Sequence, residues 1–243
     1  MIDRIHGFCK NLQFLSGADL KLIAIISMLA DHVNKALIYP YLVSNHGFLA
    51  FISDAFDIIG RIAFPLFCFM LVEGYFKTRN RKKYLLNLLL FGVISEIPFD
   101  MFTTASFFNM NWNNVMFSLA LVLVTVWIID TLKGKMQKRS KALWYLVSVV
   151  IILVMCIVSM SLSLDYEHHA ILIGYFFYLF HDMPVFAIPF GYASMFKEPW
   201  ALLGFGLTLT YNGERGKQHK MLNYWFYPVH MLILGILRLY LGI

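Results

Sequence analysis

The sequence predicts an all-α protein, a polytopic bundle of membrane-spanning helices that forms a single domain over residues 1–243. Hydrophobic residues make up 60% of the chain and charged residues only 14%, which is more apolar surface than a soluble core buries. The apolar residues also fall in long runs separated by short Lys and Arg clusters, the charge pattern that orients helices in a membrane. The net charge of +6 is therefore explained by topology, and binding of nucleic acid is excluded.

Seven apolar segments follow one another along the chain. They cover residues 19–38, 57–76, 84–101, 112–132, 142–162, 168–212 and 221–241. If every basic cluster faces the cytoplasm, the segment 168–212 must cross an odd number of times, and its three prolines favour three short or broken helices. We therefore predict about nine spans, with the N-terminus cytoplasmic and the C-terminus outside. Seven spans, with one crossing plus re-entrant pieces in that segment, are the alternative.

The chain ends and the cysteines carry simpler expectations. Residues 1–17 are expected to form a short cytoplasmic or interfacial leader, because no small-residue cleavage site follows the first apolar stretch. Cys9, Cys68 and Cys156 are far apart and show no CxxC spacing, so we expect neither a disulfide nor a metal site.

The topology is organised around residues 60–74, an apolar run that is bounded by Arg61 and Glu73 and followed by the basic run Lys77 to Lys83. The basic run marks the cytoplasmic end of this span. An arginine at membrane depth is costly and usually faces a protein interior or a water-filled cavity. Arg61 therefore indicates a functional site.

Other ionisable side chains are predicted to share the depth of Arg61. Counted from the cytoplasmic ends at about 1.5 Å per residue, they lie in the central to outer half of the membrane. The heights are about 18 Å for Asp31, His32 and Glu96, about 24 Å for Asp100, about 22 Å for Arg61 and about 14 Å for His230. Asn114 falls near the outer mouth, and Glu73 lies near the cytoplasmic surface.

Two interpretations of this polar layer stay open. In the first, Arg61 pairs with Asp31 or Glu96, and the charges only specify how the helices pack. In the second, a histidine acts as a general base and the arginine stabilises an oxyanion. Asp31 and His32 are adjacent and point about 100° apart on a helix, so His32 is expected to pair with a residue of another helix. His168 and His169 fall in a predicted external loop with no further metal ligands in view.

Several longer motifs resemble the TraX family, named for a conjugative-plasmid protein that acetylates the N-terminus of pilin. The motifs are Gly60-Arg61-Ile62-Ala63-Phe64-Pro65-Leu66-Phe67, Glu73-Gly74-Tyr75, Thr78-Arg79-Asn80-Arg81-Lys82-Lys83-Tyr84, Ile94-Ser95-Glu96-Ile97-Pro98-Phe99-Asp100 and Tyr227-Pro228-Val229-His230. The resemblance runs from about Ala18 to Leu239. It implies a bacterial plasma-membrane acetyltransferase that uses acetyl-CoA from the cytoplasm as acyl donor and modifies an acceptor at the outer face.

The resemblance points to Asp31, His32, Arg61, Glu73, Glu96, Asp100, Asn114 and His230, and the chemistry of the side chains and the basic loops indicates their roles. His32 would be the general base, Arg61 would hold developing negative charge, Glu96 and Asp100 would set the position of Arg61, and His230 would be a second acid or base. The full set comprises the catalytic candidates Asp31, His32, Arg61, Glu96 and His230, the substrate-binding candidates Glu73, Asp100 and Asn114, and the coenzyme-binding candidates Arg81, Lys82, Lys83 and Arg215. Membrane lipids and a peptide, glycan or lipid-linked acceptor are the expected partners.

The chain departs from the family pattern at two places near the predicted outer mouth. Val33-Asn34 stands where a glycine usually follows the Asp-His pair, and Glu167-His168-His169 stands where a loop of small residues is typical. Acetylation of pilin is therefore not transferred to this chain. A transporter or flippase and a non-catalytic membrane partner that binds a lipid or peptide are the rival functions.

Overall fold

The computed structural model describes residues 12–43, 47–109, 111–218 and 220–243. Within these residues the chain is helical, apart from loops and two isolated β-bridges. Most of the predicted leader, including Cys9, lies outside the described residues. The α-helices are α1 Gly17–Val33, α2 Phe48–Gly60, α3 Ala63–Lys77, α4 Arg81–Thr104, α5 Val115–Met136, α6 Lys141–Ser161, α7 Glu167–Leu179, α8 Ala187–Ser194, α9 Ala201–Leu207 and α10 Lys220–Leu241.

In the described part of the chain, six helical segments are long and apolar enough to cross a bilayer. They are Gly17–Leu42, Phe48–Lys77, Arg81–Thr104, Val115–Met136, Lys141–Ser161 and Asn223–Leu241. Large apolar side chains lie exposed on their outer faces, for example Leu146 and Ile157 of α6, each 63% exposed. Such a surface requires lipid around it, so this is a multi-pass membrane protein.

Short-range sequence signals explain where several helices begin. Ser16 caps α1 in a capping box with Asp19, and Asn80, Asn114 and Ser140 cap α4, α5 and α6 with their side-chain oxygens. Each cap satisfies backbone N–H groups that have no partner within the helix. These caps fix the helix ends on which several of the candidate site residues lie.

The region that was predicted to hold three short helices does hold three short helical stretches. They are α7, residues 184–194 and residues 201–210, and they run back and forth beside α3. Glu198 lies at the Arg61 end of α3, whereas His181 and Tyr211 lie at its Lys77 end. At about 1.5 Å per residue, the 13 residues of α7 reach about 20 Å, short of the roughly 30 Å core of a bilayer. The count of nine spans and the cytoplasmic N-terminus therefore stay predictions.

The second predicted span differs most from the structure. It begins at Phe48 and consists of two helices, α2 and α3, that meet at a turn formed by Arg61 and Ile62. At this break Gly204 packs against the carbonyl of Ile62, where a Cβ would lie 2.5 Å from the oxygen. The break places the Arg61 side chain at the junction of α1, α2, α3 and the segment before α9.

The last helix packs along α4 and completes the bundle around the break. The Phe91 and Tyr224 rings stack with centroids 4.9 Å apart, and Gly235 brings the backbone of α10 against Met101. This packing places His230 of α10 beside the end of α1.

Candidate active site

A cavity of about 420 Å³ lies at the end of α3 where the helix begins. Its walls come from α1, from the break between α2 and α3, from α4, from the loop before α7 and from α10. One histidine, His32, and five charged side chains lie on these walls, namely those of Asp31, Lys35, Arg61, Asp165 and Arg238. Aromatic side chains, among them Phe64, Phe67 and Phe102, form much of the remaining surface.

His32 and His230 meet at this cavity, as the prediction of a partner from another helix required. His32 Nδ1 lies 2.8 Å from His230 Nε2, and His230 Nδ1 lies 2.7 Å from the carbonyl oxygen of Phe226. A carbonyl can only accept, so His230 Nδ1 donates; with both rings neutral, His230 Nε2 accepts from His32 Nδ1–H. These two hydrogen bonds leave His32 Nε2 unprotonated, with its lone pair free to accept.

No described residue forms a hydrogen bond to His32 Nε2. Asp31 Oδ2 lies 4.0 Å away, which is beyond hydrogen-bonding distance. His32 itself lines the cavity, whereas His230 lies behind it and is buried. The network therefore presents an unprotonated ring nitrogen to the cavity and fixes the orientation of the ring that carries it.

Asp31 is held by α1 itself and by the close approach of α2. Its Oδ2 accepts a hydrogen bond from Lys35 Nζ at 2.7 Å, one helical turn further on. Its Oδ1 is buried and has no hydrogen-bond partner among the described residues. Gly60 permits this packing, because a Cβ there would lie 2.5 Å from Asp31 Cβ. Asp31 thus contributes one unused acceptor beside the cavity.

The predicted pairing of Arg61 with Asp31 or Glu96 is wrong. Arg61 Nη2 donates to Asp57 Oδ1 at 2.7 Å, and Arg61 Nε lies 3.0 Å from Glu198 Oε2. Asp57 precedes Arg61 by one turn of α2, and Glu198 reaches it from the segment before α9. Two carboxylates therefore hold the guanidinium at the cavity wall.

Glu96 and Asp100 do not position Arg61, contrary to the expectation, because both are engaged on the other side of α4. Glu96 accepts a hydrogen bond from Asn114 Nδ2, which also bonds the carbonyl of Gly92. Asp100 Oδ2 accepts from the backbone N–H of Asn109 at 2.8 Å. Neither carboxylate lines the cavity. These contacts tie α4 to the start of α5.

Asp165 lines the cavity from the loop before α7. Its loop contains three non-glycine residues in the left-handed region, Ser163, Tyr166 and Glu167, with φ of 47°, 61° and 40°. Such strain is found where a structure over-determines a local conformation, often at a functional site. Burial raises the pKa of the Asp165 carboxyl to about 6, and the nearby Asp31 raises it further while Lys35 opposes the shift.

Glu73 lies at the opposite end of α3, as predicted. Its Oε1 is 2.8 Å from His181 Nε2, and its Oε2 is 3.1 Å from Lys77 Nζ. The Glu73 carboxylate, which accepts from the His181 ring, raises the pKa of His181 although burial opposes the shift. Glu73 is therefore neutralised locally and lies about 14 Å along α3 from Phe64 in the candidate site.

The basic residues predicted to bind coenzyme A occupy different environments. Arg81 lies 3.5 Å from Asp130 Oδ2 and over the ring of Tyr75, so it takes part in a structural cluster. Lys82, Lys83 and Arg215 are exposed.

No group of metal-ligating side chains is present in the described part of the chain. The rings of His168 and His169, at the start of α7, have centroids 4.0 Å apart and are tilted by 36°. Cys68 and Cys156 are free thiols.

The arrangement can now be compared with known proteins. A family model described as TraX protein matches residues 16–238. The chain belongs to the TraX family. A 126-residue stretch of this TraX protein is also 40% identical to the probable fimbrial assembly protein FimC, serogroup H1, of Dichelobacter nodosus. That match covers 49% of the chain and 48% of the relative, so the chain spans about half the length of the relative. No solved structure matches the TraX chain.

Proposed function

We propose that this protein is an acyltransferase of the bacterial plasma membrane, which moves an acetyl or similar acyl group from acyl-CoA to an amine or hydroxyl at the outer face. The observation that carries the proposal is the series of hydrogen bonds from His32 through His230 to the Phe226 carbonyl. It presents His32 Nε2 as a hydrogen-bond acceptor in a cavity at membrane depth. Membership of the TraX family supports the same chemistry.

In the proposed reaction, the acceptor binds in the cavity with its N–H or O–H directed at His32 Nε2. The acceptor atom attacks the thioester carbonyl while His32 takes its proton. A new C–N or C–O bond forms, the C–S bond breaks, and His32 returns the proton to the departing thiolate. His230 accepts from His32 Nδ1–H throughout and is thus a positioning residue.

The cations of the cavity would act on the charge that develops during attack. Arg61 Nη2 donates to Asp57 and Nε forms an ion pair with Glu198, while Nη1 has no hydrogen bond to a described residue and would be available to the substrate. Lys35 lies on the same wall, held by Asp31. A preorganised cation costs little reorganisation when the oxyanion forms. Glu96, Asp100 and Asn114 would support the reaction indirectly, by holding α4 against α5.

The expected acceptor classes are a peptide, a glycan or a lipid-linked compound. The curated relative is named as a probable fimbrial assembly protein, which favours a protein acceptor at the cell surface. The aromatic wall formed by Phe64, Phe67 and Phe102 suits an apolar part of a substrate. Membrane lipids would surround the exposed faces of the helices.

A transporter is the second candidate, because one observation favours it. The break between α2 and α3 places a charged residue at a discontinuity in a membrane helix, as in the binding sites of many transporters. A transporter would move a solute unchanged, whereas an acyltransferase consumes a thioester.

The experiment that separates the two uses inside-out vesicles from cells that contain or lack the protein. Acetyl-CoA carrying a labelled acetyl group is added outside these vesicles, at the face that was cytoplasmic. The proposal expects a covalently labelled product in the vesicle interior, together with stoichiometric free CoA, only when the protein is present. Protein-dependent accumulation of a labelled solute without any covalent product would establish transport instead.

A further inference from the structure

A second cavity, of about 380 Å³, lies at the Lys77 end of α3. It is called the inner cavity here. Glu73 and Lys77 of α3 form one wall, His181 and the turn after α7 form another, and residues 208–213 close it. The candidate active site uses Phe64 and Phe67 of the same helix. One helix therefore lines two separate cavities, whose nearest lining residues are two positions apart.

The charged groups of the inner cavity satisfy one another. Glu73 is buried, and its two oxygens face His181 and Lys77. Lys77 also donates to the Tyr211 hydroxyl and to the carbonyl of Gly213. A free ion would find no unpaired opposite charge there. The cavity instead suits a neutral polar molecule that can exchange hydrogen bonds with these groups and with backbone carbonyls.

Part of the cavity wall is apolar. Met183, Pro184, Val185 and Leu209 line it next to the polar groups. A narrow ligand that alternates methylene and amide groups fits such a mixed lining.

Residues 208–213, which close the inner cavity, are held by backbone hydrogen bonds and are followed by exposed cationic side chains. Leu15 N–H donates to the carbonyl of Thr210, and Asn212 N–H donates to the carbonyl of Leu15, both at 2.9 Å. Arg215 and Lys217 follow directly and are exposed. Exposed Arg and Lys side chains that lie close together in sequence are suited to bind phosphate groups.

A cluster of buried aromatic rings begins at Phe69, on the wall of the inner cavity. Phe69, Phe177 and Phe205 are each at most 3% exposed. The rings of Phe69 and Phe177 lie 5.3 Å apart, and those of Phe177 and Phe205 lie 5.8 Å apart. A ligand in the inner cavity thus contacts Phe69, and Phe67, two positions earlier on α3, lines the candidate active site.

We propose that the inner cavity binds the pantetheine arm of acyl-CoA, with the nucleotide phosphates on Arg215 and Lys217 and the thioester directed past Phe69 towards the candidate active site. This inference rests on the proposed acyltransferase function. In this proposal the inner cavity, Arg215 and Lys217 are the principal contacts of acyl-CoA, in place of Arg81, Lys82 and Lys83. The neutral amides of the arm match the internally paired lining, and the methylene groups match the apolar wall.

The test measures the binding of coenzyme A to the purified full-length protein in detergent by titration calorimetry. Val185→Trp fills the inner cavity and is expected to raise the Kd for coenzyme A by about tenfold or more. Val154→Trp is the matched control, because Val154 is 51% exposed on the lipid-facing side of α6 and lies far from the cavity in sequence. This control should bind as the unsubstituted protein does.

The phosphate contact is tested separately. Arg215→Gln should weaken the binding of coenzyme A by about tenfold, since a charge-assisted contact of this kind contributes about 1.5 kcal/mol or more. The affinity for free pantetheine, measured by competition, should stay unchanged. Arg139→Gln removes an exposed arginine from another basic loop and serves as control. Equal losses for both arginine variants would show a general charge effect and overturn the assignment of Arg215.

If Val185→Trp does not fold, Val185→Cys decides the question. Its thiol should react with a maleimide, and desulfo-coenzyme A should protect it, whereas Val154→Cys should receive no protection. Unchanged coenzyme A binding in folded Val185→Trp, or no protection of Val185→Cys, would overturn the inner cavity as donor site while leaving acyl transfer intact. Absence of both coenzyme A binding and acetyl-CoA-dependent product in the unsubstituted protein would refute the acyltransferase function as well.

Discussion

Replacing His32 by glutamine tests the proposed base without removing its structural contact. Glutamine can still donate to His230 Nε2 but cannot take a proton from an acceptor. A positioned general base contributes about 10² to 10⁴ in rate, which corresponds to about 2.7 to 5.5 kcal/mol in the activation free energy. The structural hydrogen bond between His32 and His230, 2.8 Å long, contributes only about 0.5 to 1.5 kcal/mol to folding. The turnover should therefore fall far more than the stability.

The assay is transfer of labelled acetyl groups in proteoliposomes, with coenzyme A binding and melting temperature measured on the same preparation. His168→Gln is the matched control, since His168 lies at the start of α7 and does not line the cavity. The His32 variant should bind coenzyme A normally, melt close to the unsubstituted protein and lose most of its turnover. Unchanged turnover in a folded His32→Gln protein would refute the assignment of His32.

The role of His230 can be separated from that of His32 with two further variants. His230→Gln retains an oxygen that accepts from His32 Nδ1–H, so the ring of His32 should keep its tautomer and much of its activity. His230→Phe removes that acceptor, and the turnover should fall further. Equal turnover in the two variants would contradict the hydrogen-bonded chain that orients His32.

Three other predictions concern charged residues outside the hydrogen-bonded network of His32 and His230. Arg61→Met should lower the unfolding free energy by about 1 kcal/mol, because partly exposed ion pairs contribute about that much. Adding Glu198→Gln should recover part of this loss, and additive effects of the two substitutions would show that the residues are not coupled. The raised pKa of His181 means that its pairing stabilises the fold fully below about pH 6.5 and loses this contribution as the pH rises through the folded-state value. The melting temperature of the unsubstituted protein should thus exceed that of His181→Gln most at low pH, and a difference that grows with pH would contradict the pairing. Asn109→Cys should react with a membrane-impermeant reagent outside the cell and Lys138→Cys should not; the reverse pattern would invert the predicted topology.

The helices were predictable because their signals are local. The apolar runs and the basic clusters between them located six long helical segments, and the structure changed mainly their ends. The start of the second segment was missed because Asp54 and Asp57 interrupt its apolar pattern, although both lie within α2. The partner of Arg61 was missed although Asp57 is the first residue of the predicted segment 57–76, where its spacing of four residues from Arg61 is a helical ion-pair signal.

The candidate site was predictable in part. Depth counting brought His32, Asp31, Arg61 and His230 to one cavity, because these residues lie on helices whose directions the charges indicate. It could not exclude Glu96, since height along a helix does not fix the face on which a side chain lies. Contacts made by loops, such as that of Glu198, depend on tertiary packing and leave no local pattern in the sequence.

The close approach of Gly60 to Asp31 has a consequence for related sequences. Any side chain at position 60 would push the Asp31 carboxylate away from Lys35 and from the cavity. Homologous chains that keep an aspartate at position 31 should therefore keep glycine at position 60. Where drift has replaced one of the two residues, the other should have changed with it, and this covariation can be sought in an alignment without any experiment on the protein.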